Sequence, residues 1–239
     1  MRVDGRQPNE LRPVAFALHY TRYAEGSVLV TAGETRVLCN VTVEQRVPSW
    51  RRGSGLGWLT AEYAMLPRST QDRSPRETQG LGGRPQEIRR FIGRSLRRAV
   101  SLEALGERTL ILDCDVIQAD GGTRTTAVTG GYVALALAVR RLAAQGIVPP
   151  QALLGPVAAV SAGLLGSQPL LDLCYAEDSR AAADLNVVMD GQGQFIEVQG
   201  AGERSTFGRA ALDALLDLAE DGIRRLLALQ AEALAREAD

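Results

Sequence analysis

Two arginines stand just past paired glycines: Arg84 follows Gly82 and Gly83, and Arg124 follows Gly121, Gly122 and Thr123. Paired glycines let the backbone turn where a side chain would clash. A helix that opens there offers unpaired N–H groups and the positive end of its dipole to an anion. A guanidinium beside it adds a planar fork of donors that suits phosphate oxygens. Gly122, Thr123 and Arg124 are therefore one candidate phosphate site, and Arg84 is a second arm of it. The turn is neither a Walker A loop nor a GxGxxG fingerprint, so a plain strand–turn–helix with a capping threonine fits the same residues.

Acids supply the complementary chemistry. Asp178 and Asp184 flank a short alanine-rich segment and could share a Mg²⁺, which takes hard oxygen ligands. Aspartate also simply caps helices. Asp113 and Asp115 fall on one face of a strand, where they could hold a metal or form a solvent or interface face. His19 is the only histidine and no nucleophile-elbow motif is present, which leaves Ser–His or Cys–His chemistry unsupported. Two arginines and two carboxylates suit a reaction in which phosphate is itself the nucleophile. Phosphate is an anion at neutral pH and needs no base. It needs positioning, and relief of its repulsion from a phosphodiester.

The elements that must position these groups follow from pattern. Residues 14–20, 27–32, 35–43 and 57–66 predict strands, with Gly33 and Glu34 as a hairpin turn. Residues 67–83 are rich in Pro, Ser, Thr and Gly and read as a mobile loop without core residues. That loop carries Arg68, Arg73 and Arg76, which suit a nucleic-acid backbone. Pro85 is the expected first residue of a helix whose apolar stripe is Ile88, Ile92, Ser95/Leu96, Ala99 and Leu102. Residues 109–118 predict a strand with Leu112, Cys114 and Val116 on one face. A helix then opens at Thr123 with Val128, Tyr132, Leu135, Val139 and Leu142 as its core seam, and ends near Gly146. A hairpin over 156–175 turns at Gly166, further strands lie near 185–189 and 195–200, and a long amphipathic helix spans 206–236 with a bend expected at Gly222. The reading is a mixed α/β fold in one compact unit, with two βα halves at about 15–105 and 107–236.

Composition narrows the setting. The chain has 239 residues, with 45% hydrophobic and only 5% aromatic residues, so its core is aliphatic. No run approaches a membrane span, and residues 1–13 are too polar for a signal peptide. Cys39, Cys114 and Cys174 are scattered in apolar runs, which fits reduced thiols in a cytoplasm. Net charge is −1, yet residues 46–98 hold 12 arginines against 4 acids. Such a basic segment on an otherwise acidic chain marks a polyanion partner or a solvated helix face.

The segments GWLTAEYAMLPRST (57–70), GGRPQEIRRFIGRSLRRAV (82–100), LGERTLILDCDVIQADGGTRTTAVTG (105–130) and EDSRAAADLNVVM (177–189), with DGR (4–6) and LRPV (11–14), resemble the ribonuclease PH family over essentially the whole chain. The resemblance implies a ribosomal-protein-S5-domain-2-like fold, with residues 1–239 as a single domain. It implies a cytoplasmic, phosphorolytic 3′→5′ exoribonuclease. Such an enzyme removes nucleotides beyond the CCA end of tRNA precursors, acts on RNA 3′ ends, and assembles as a homohexamer, a trimer of dimers. It places inorganic phosphate on Arg84, Gly122, Thr123 and Arg124, and Mg²⁺ (or Mn²⁺) on Asp178 and Asp184. Asp184 is then the better candidate to protonate the departing 3′ oxygen, and Arg68, Arg73 and Arg76 face the RNA. A catalytically silent RNA-binding ring subunit is the alternative; it would be expected to lack the phosphate arginines or the acid pair.

Overall fold

The computed structural model describes residues 2–76, 80 and 82–237. Four strands come first: β1 (Val14–Leu18), β2 (Gly26–Ala32), β3 (Thr35–Glu44) and β4 (Trp58–Met65). Then follow α1 (Gly83–Leu96), α2 (Leu102–Leu105), β5 (Thr109–Gln118) and α3 (Thr123–Ala144). The chain closes with β6 (Val157–Leu165), β7 (Gln168–Leu171), α4 (Tyr175–Asp178), β8 (Ala183–Asp190), β9 (Phe195–Ala201) and α5 (Arg209–Ala235).

The first sheet has the order β1-β2-β3-β5-β4, and the second β7-β6-β8-β9. Pairing is antiparallel except between β4 and β5. The parallel pair is bridged by α1 and α2, the crossover such a pair needs. It brings the C-terminal ends of β4 and β5 to one edge of the molecule. The expected split at residue 106 is therefore not where the sheets divide: β5 lies beyond it and pairs with β3 and β4.

Side-chain alternation sets the layers. On β3 and β5, Val37, Cys39, Val41, Leu112, Cys114 and Val116 point inward onto α1 and α3. Cys39 and Cys114 are register partners, with Sγ atoms 4.0 Å apart. On β6 the alternation serves two cores: Val157 and Ala159 face α3, while Ala158, Val160 and Ala162 join α5. Thr129 on α3 ties the layers by exchanging 3.0 Å hydrogen bonds with the backbone of Ala159. The order is sheet, helix, sheet, helix.

Burial of α3 is nearly complete, from Thr125 through Val139. The expected single seam understates it, because the second sheet covers the helix face that the seam leaves open. In length and composition α3 could cross a membrane, contrary to the reading that no run comes close; its burial between two sheets makes it a core helix.

Other boundaries also differ from expectation. Pro85 is the third residue of α1, still within the first turn, where a missing N–H costs nothing. The helix stops at Leu96, and Ala99 and Leu102 continue its stripe in a 3₁₀ turn and α2. β1 ends before His19, whose φ is +53° and whose ring is exposed beside Glu237 at 3.2 Å. β7 ends at Leu171 because Asp172 turns the chain with φ +52°. At Gly222 helix α5 is continuous, and a Cβ would come within 2.8 Å of Leu171. Glycine there permits close packing and is not the expected bend.

The amino-terminal segment locks the second half. Arg2 donates to both carboxylate oxygens of Glu177, at 2.8 and 2.7 Å, in a pair shut off from solvent. Arg2 and Arg6 each donate to the Asp172 carbonyl at 3.0 Å. Burial opposes ionisation of Glu177, and the Arg2 hydrogen bonds overcome it, leaving its pKa below the usual value.

Candidate active site

The turn between β5 and α3 has both glycines in the left-handed region, Gly121 at φ +76° and Gly122 at φ +62°. Gly122 occupies the cap position of α3, and no side chain caps the helix. Arg124, in the first turn, is half-buried. Its Nη1 donates to Glu87 of α1 at 3.3 Å and to Gln199 of β9 at 3.2 Å. Thr123 Oγ1 lies 2.8 Å from the hydroxyl of Tyr63, a buried residue near the end of β4.

Arg84, exposed in the first turn of α1, faces the same place. Tyr63 records this: burial raises its pKa, and Thr123, Arg84 and Arg124 pull it back. The acids approach from the opposite side. Asp178 is the last residue of α4, and Asp184 the second of β8. Burial raises the pKa of Asp178, with Arg84 and Arg124 opposing and Glu203 reinforcing. Asp184 is raised by burial, then by Asp178 and Glu203, with Arg124 opposing. Asp178 is exposed to solvent, yet enough protein surrounds its carboxylate for burial to raise its pKa. Asn186 donates to Asp184 at 3.5 Å, a long contact.

Two arginines from the starts of two helices thus confront one carboxylate from α4 and one from the second sheet. Among the described residues, no ion pair joins either aspartate to Arg84 or Arg124.

Arg68, Arg73 and Arg76 are exposed beyond β4. Their segment is anchored at its start. Ser69 is buried, and its carbonyl accepts from Ala119 N at 2.8 Å, just before the glycine turn. Residues 77–79 and Leu81 of the expected loop lie outside the described residues. Asp113 and Asp115 share the outer face of β5, half-buried, and burial raises both carboxyls. Among the described residues no group of three or more metal-binding side chains gathers there or elsewhere.

Tyr63, Gln199, Glu203 and Glu87 were not singled out from the sequence. Tyr63 shares the buried face of β4 with Leu59 and Ala61, so it reads as core; only its hydroxyl contact ties it to the glycine turn. Tyr63→Phe keeps the ring packed and removes one neutral hydrogen bond. It is expected to raise the KM for phosphate by about 2–10-fold with an unchanged unfolding midpoint, as steady-state kinetics and thermal melts would show.

Residues 10–140 match the family model described as 3′ exoribonuclease family, domain 1, and residues 155–222 match domain 2. The chain is 56% identical over 235 residues to ribonuclease PH of Crocosphaera subtropica, covering 98% of each. It is 55% identical over 236 residues to ribonuclease PH of Moorella thermoacetica, covering 98% of this chain and 94% of that one. The chain belongs to the ribonuclease PH family, whose members are phosphorolytic exoribonucleases and tRNA nucleotidyltransferases. Rice Rrp46 shares the fold with a TM-score of 0.79 at 19% identity, over 96% of this chain and 98% of that one. So does an Archaeoglobus fulgidus exosome chain solved with RNA bound to the active site, at TM-score 0.78 and 21% identity, over 94% of this chain and 91% of that one.

Proposed function

We propose that the cleft between Arg84 and Arg124 on one side and Asp178 and Asp184 on the other carries out phosphorolysis of RNA 3′ ends, tRNA precursors foremost. The observation behind this is the convergence of those four charges from α1, α3, α4 and β8. Phosphate binds the two guanidinium groups, the N–H of Gly122 and the Thr123 hydroxyl. One of its oxygens attacks the phosphorus of the terminal phosphodiester. The new P–O bond forms as the bond to the penultimate 3′ oxygen breaks. Asp184 gives that oxygen its proton. A nucleoside diphosphate leaves, and the RNA is one nucleotide shorter. A phosphoanhydride replaces a phosphodiester, so the step is reversible.

Two carboxylates fit Mg²⁺ (or Mn²⁺), because Mg²⁺ keeps several waters and asks few protein ligands. Asp178, with Asp184 when it is ionised, would hold it, and the ion would neutralise charge on the phosphates being joined. Arg68, Arg73 and Arg76 hold the RNA strand behind its reacting end. Replacing all three with alanine is expected to lower the slope of log affinity against log salt by about 2 for a single strand, with phosphate KM unchanged. Fluorescence anisotropy across a salt series reads that slope. The whole chain acts as one domain in the cytoplasm, and six copies form the ring of three dimers.

A 3′-labelled tRNA precursor with Mg²⁺, with and without phosphate, tests the reading. Nucleoside diphosphates released only with phosphate support it. Nucleoside monophosphates released regardless of phosphate would mean hydrolysis and overturn it. Binding without release would leave a silent ring subunit, a role disfavoured because both arginines and both acids are present.

A further inference from the structure

Arg12 is remote in sequence from every residue assigned to the cleft, yet it lies against the phosphate turn. Its side chain is 4% exposed. Nε and Nη2 donate to the two carboxylate oxygens of Asp172 at 3.1 and 2.7 Å, and its backbone N donates to the same carboxylate at 2.8 Å. Nη1 donates to the carbonyl of Asp120 at 2.6 Å and reaches the carbonyl of Gly121 at 3.4 Å. Thr35 Oγ1 donates to the Gly121 carbonyl at 2.7 Å and accepts from Asp120 N at 2.9 Å. The turn is also pinned from the acid-bearing side, where Tyr175 N donates to Asp120 Oδ1 at 3.1 Å.

The consequence is geometric. No peptide bond here is cis, so each carbonyl points opposite to the N–H of the next residue. With the carbonyls of Asp120 and Gly121 drawn toward Arg12 and Thr35, the N–H groups of Gly121 and Gly122 are turned to the other side. Both glycines are closely packed in this arrangement: a Cβ on Gly122 would lie 2.8 Å from Arg12 Nη2, and one on Gly121 2.6 Å from the Leu173 carbonyl. Asp172 lies six residues before Asp178 in sequence and holds its left-handed φ of +52° while bound by three arginines.

We propose that Arg12, anchored by Asp172, is a positioning residue that aims the Gly121–Gly122 peptide N–H groups at phosphate and fixes the turn against the segment carrying Asp178. This rests on the phosphorolytic reading of the cleft. Arg12 is buried behind the turn and acts through it. Arg12→Lys keeps a buried cation opposite Asp172 but cannot span the carboxylate and the two carbonyls at once.

The test compares wild type, Arg12→Lys, Asp172→Asn and Leu105→Ala, the last a buried residue of α2 outside the site. Inorganic phosphate affinity is measured by calorimetry, and KM and kcat by nucleoside diphosphate release. Arg12→Lys is expected to weaken phosphate binding and raise phosphate KM about tenfold, one charge-assisted hydrogen bond's worth. Saturating-phosphate kcat should change less than KM, with RNA affinity unchanged. Asp172→Asn should shift phosphate KM in the same direction by less, and it carries the test if Arg12→Lys fails to fold. Wild-type phosphate affinity in a folded Arg12→Lys overturns the inference, as does an equal KM rise in Leu105→Ala. Absence of diphosphate release from wild type would instead sink the functional reading, while the calorimetry would still decide the role of Arg12.

Discussion

Arg124→Ala lowers kcat/KM for phosphate by about 10²–10³-fold, the scale of losing one preorganised charge-stabilising donor. The guanidinium sits in the first turn of α3, half-buried, where its field is less screened than at the surface. Its partner Glu87 is solvent-accessible, so the carboxylate left behind is hydrated at small cost and the fold survives. RNA affinity, held elsewhere, stays within about twofold in anisotropy titrations, a change of roughly 0.4 kcal/mol. Arg124→Lys recovers part of the loss, since an ammonium supplies charge without the fork. Phosphorolysis at the wild-type rate in Arg124→Ala would remove the residue from the site.

Asp184→Asn gives the second large effect, with opposite signs in activity and stability. A general acid contributes about 10²–10⁴-fold, and that factor disappears from kcat because the amide has no proton to give. Stability moves the other way. The folded-state pKa of Asp184 lies above its ordinary value, because burial and the neighbouring Asp178 and Glu203 oppose ionisation. A raised carboxyl pKa means the ionised group costs the folded state at pH values above it. Removing the charge therefore stabilises the chain at pH 7, by less than about 1 kcal/mol once solvent screening is allowed for. The gain vanishes below the ordinary aspartate pKa, where both forms are neutral. Urea unfolding in chelator at pH 7 and at low pH, beside single-turnover rates, would show both. A variant that loses rate and stability together would mark Asp184 as structural.

Local signals made half of this site legible. Gly121, Gly122 and Arg124 announce an anion turn by type and order, and the strand before them and helix after them carry clear periods. Asp178 and Asp184 are close enough in sequence to be read as a pair. What escaped reading depends on distant packing. Tyr63 serves Thr123 across 60 positions, and Arg12 reaches Asp172 across 160; no local pattern encodes either. The fold shows the same divide. The strands of the first sheet were readable from alternation. The burial of α3 on both sides was not, because its second cover comes from β6, after the helix in the chain.

That shared helix ties the folding of the two sheets into one event. A fragment ending after α3 would leave an apolar face of 22 residues' length half uncovered, and a fragment beginning at β6 would lack the surface on which Val157 and Ala159 pack. Each piece alone pays for leaving that apolar face wet. Unfolding should therefore proceed as a single transition by every probe, with no half-folded species in between.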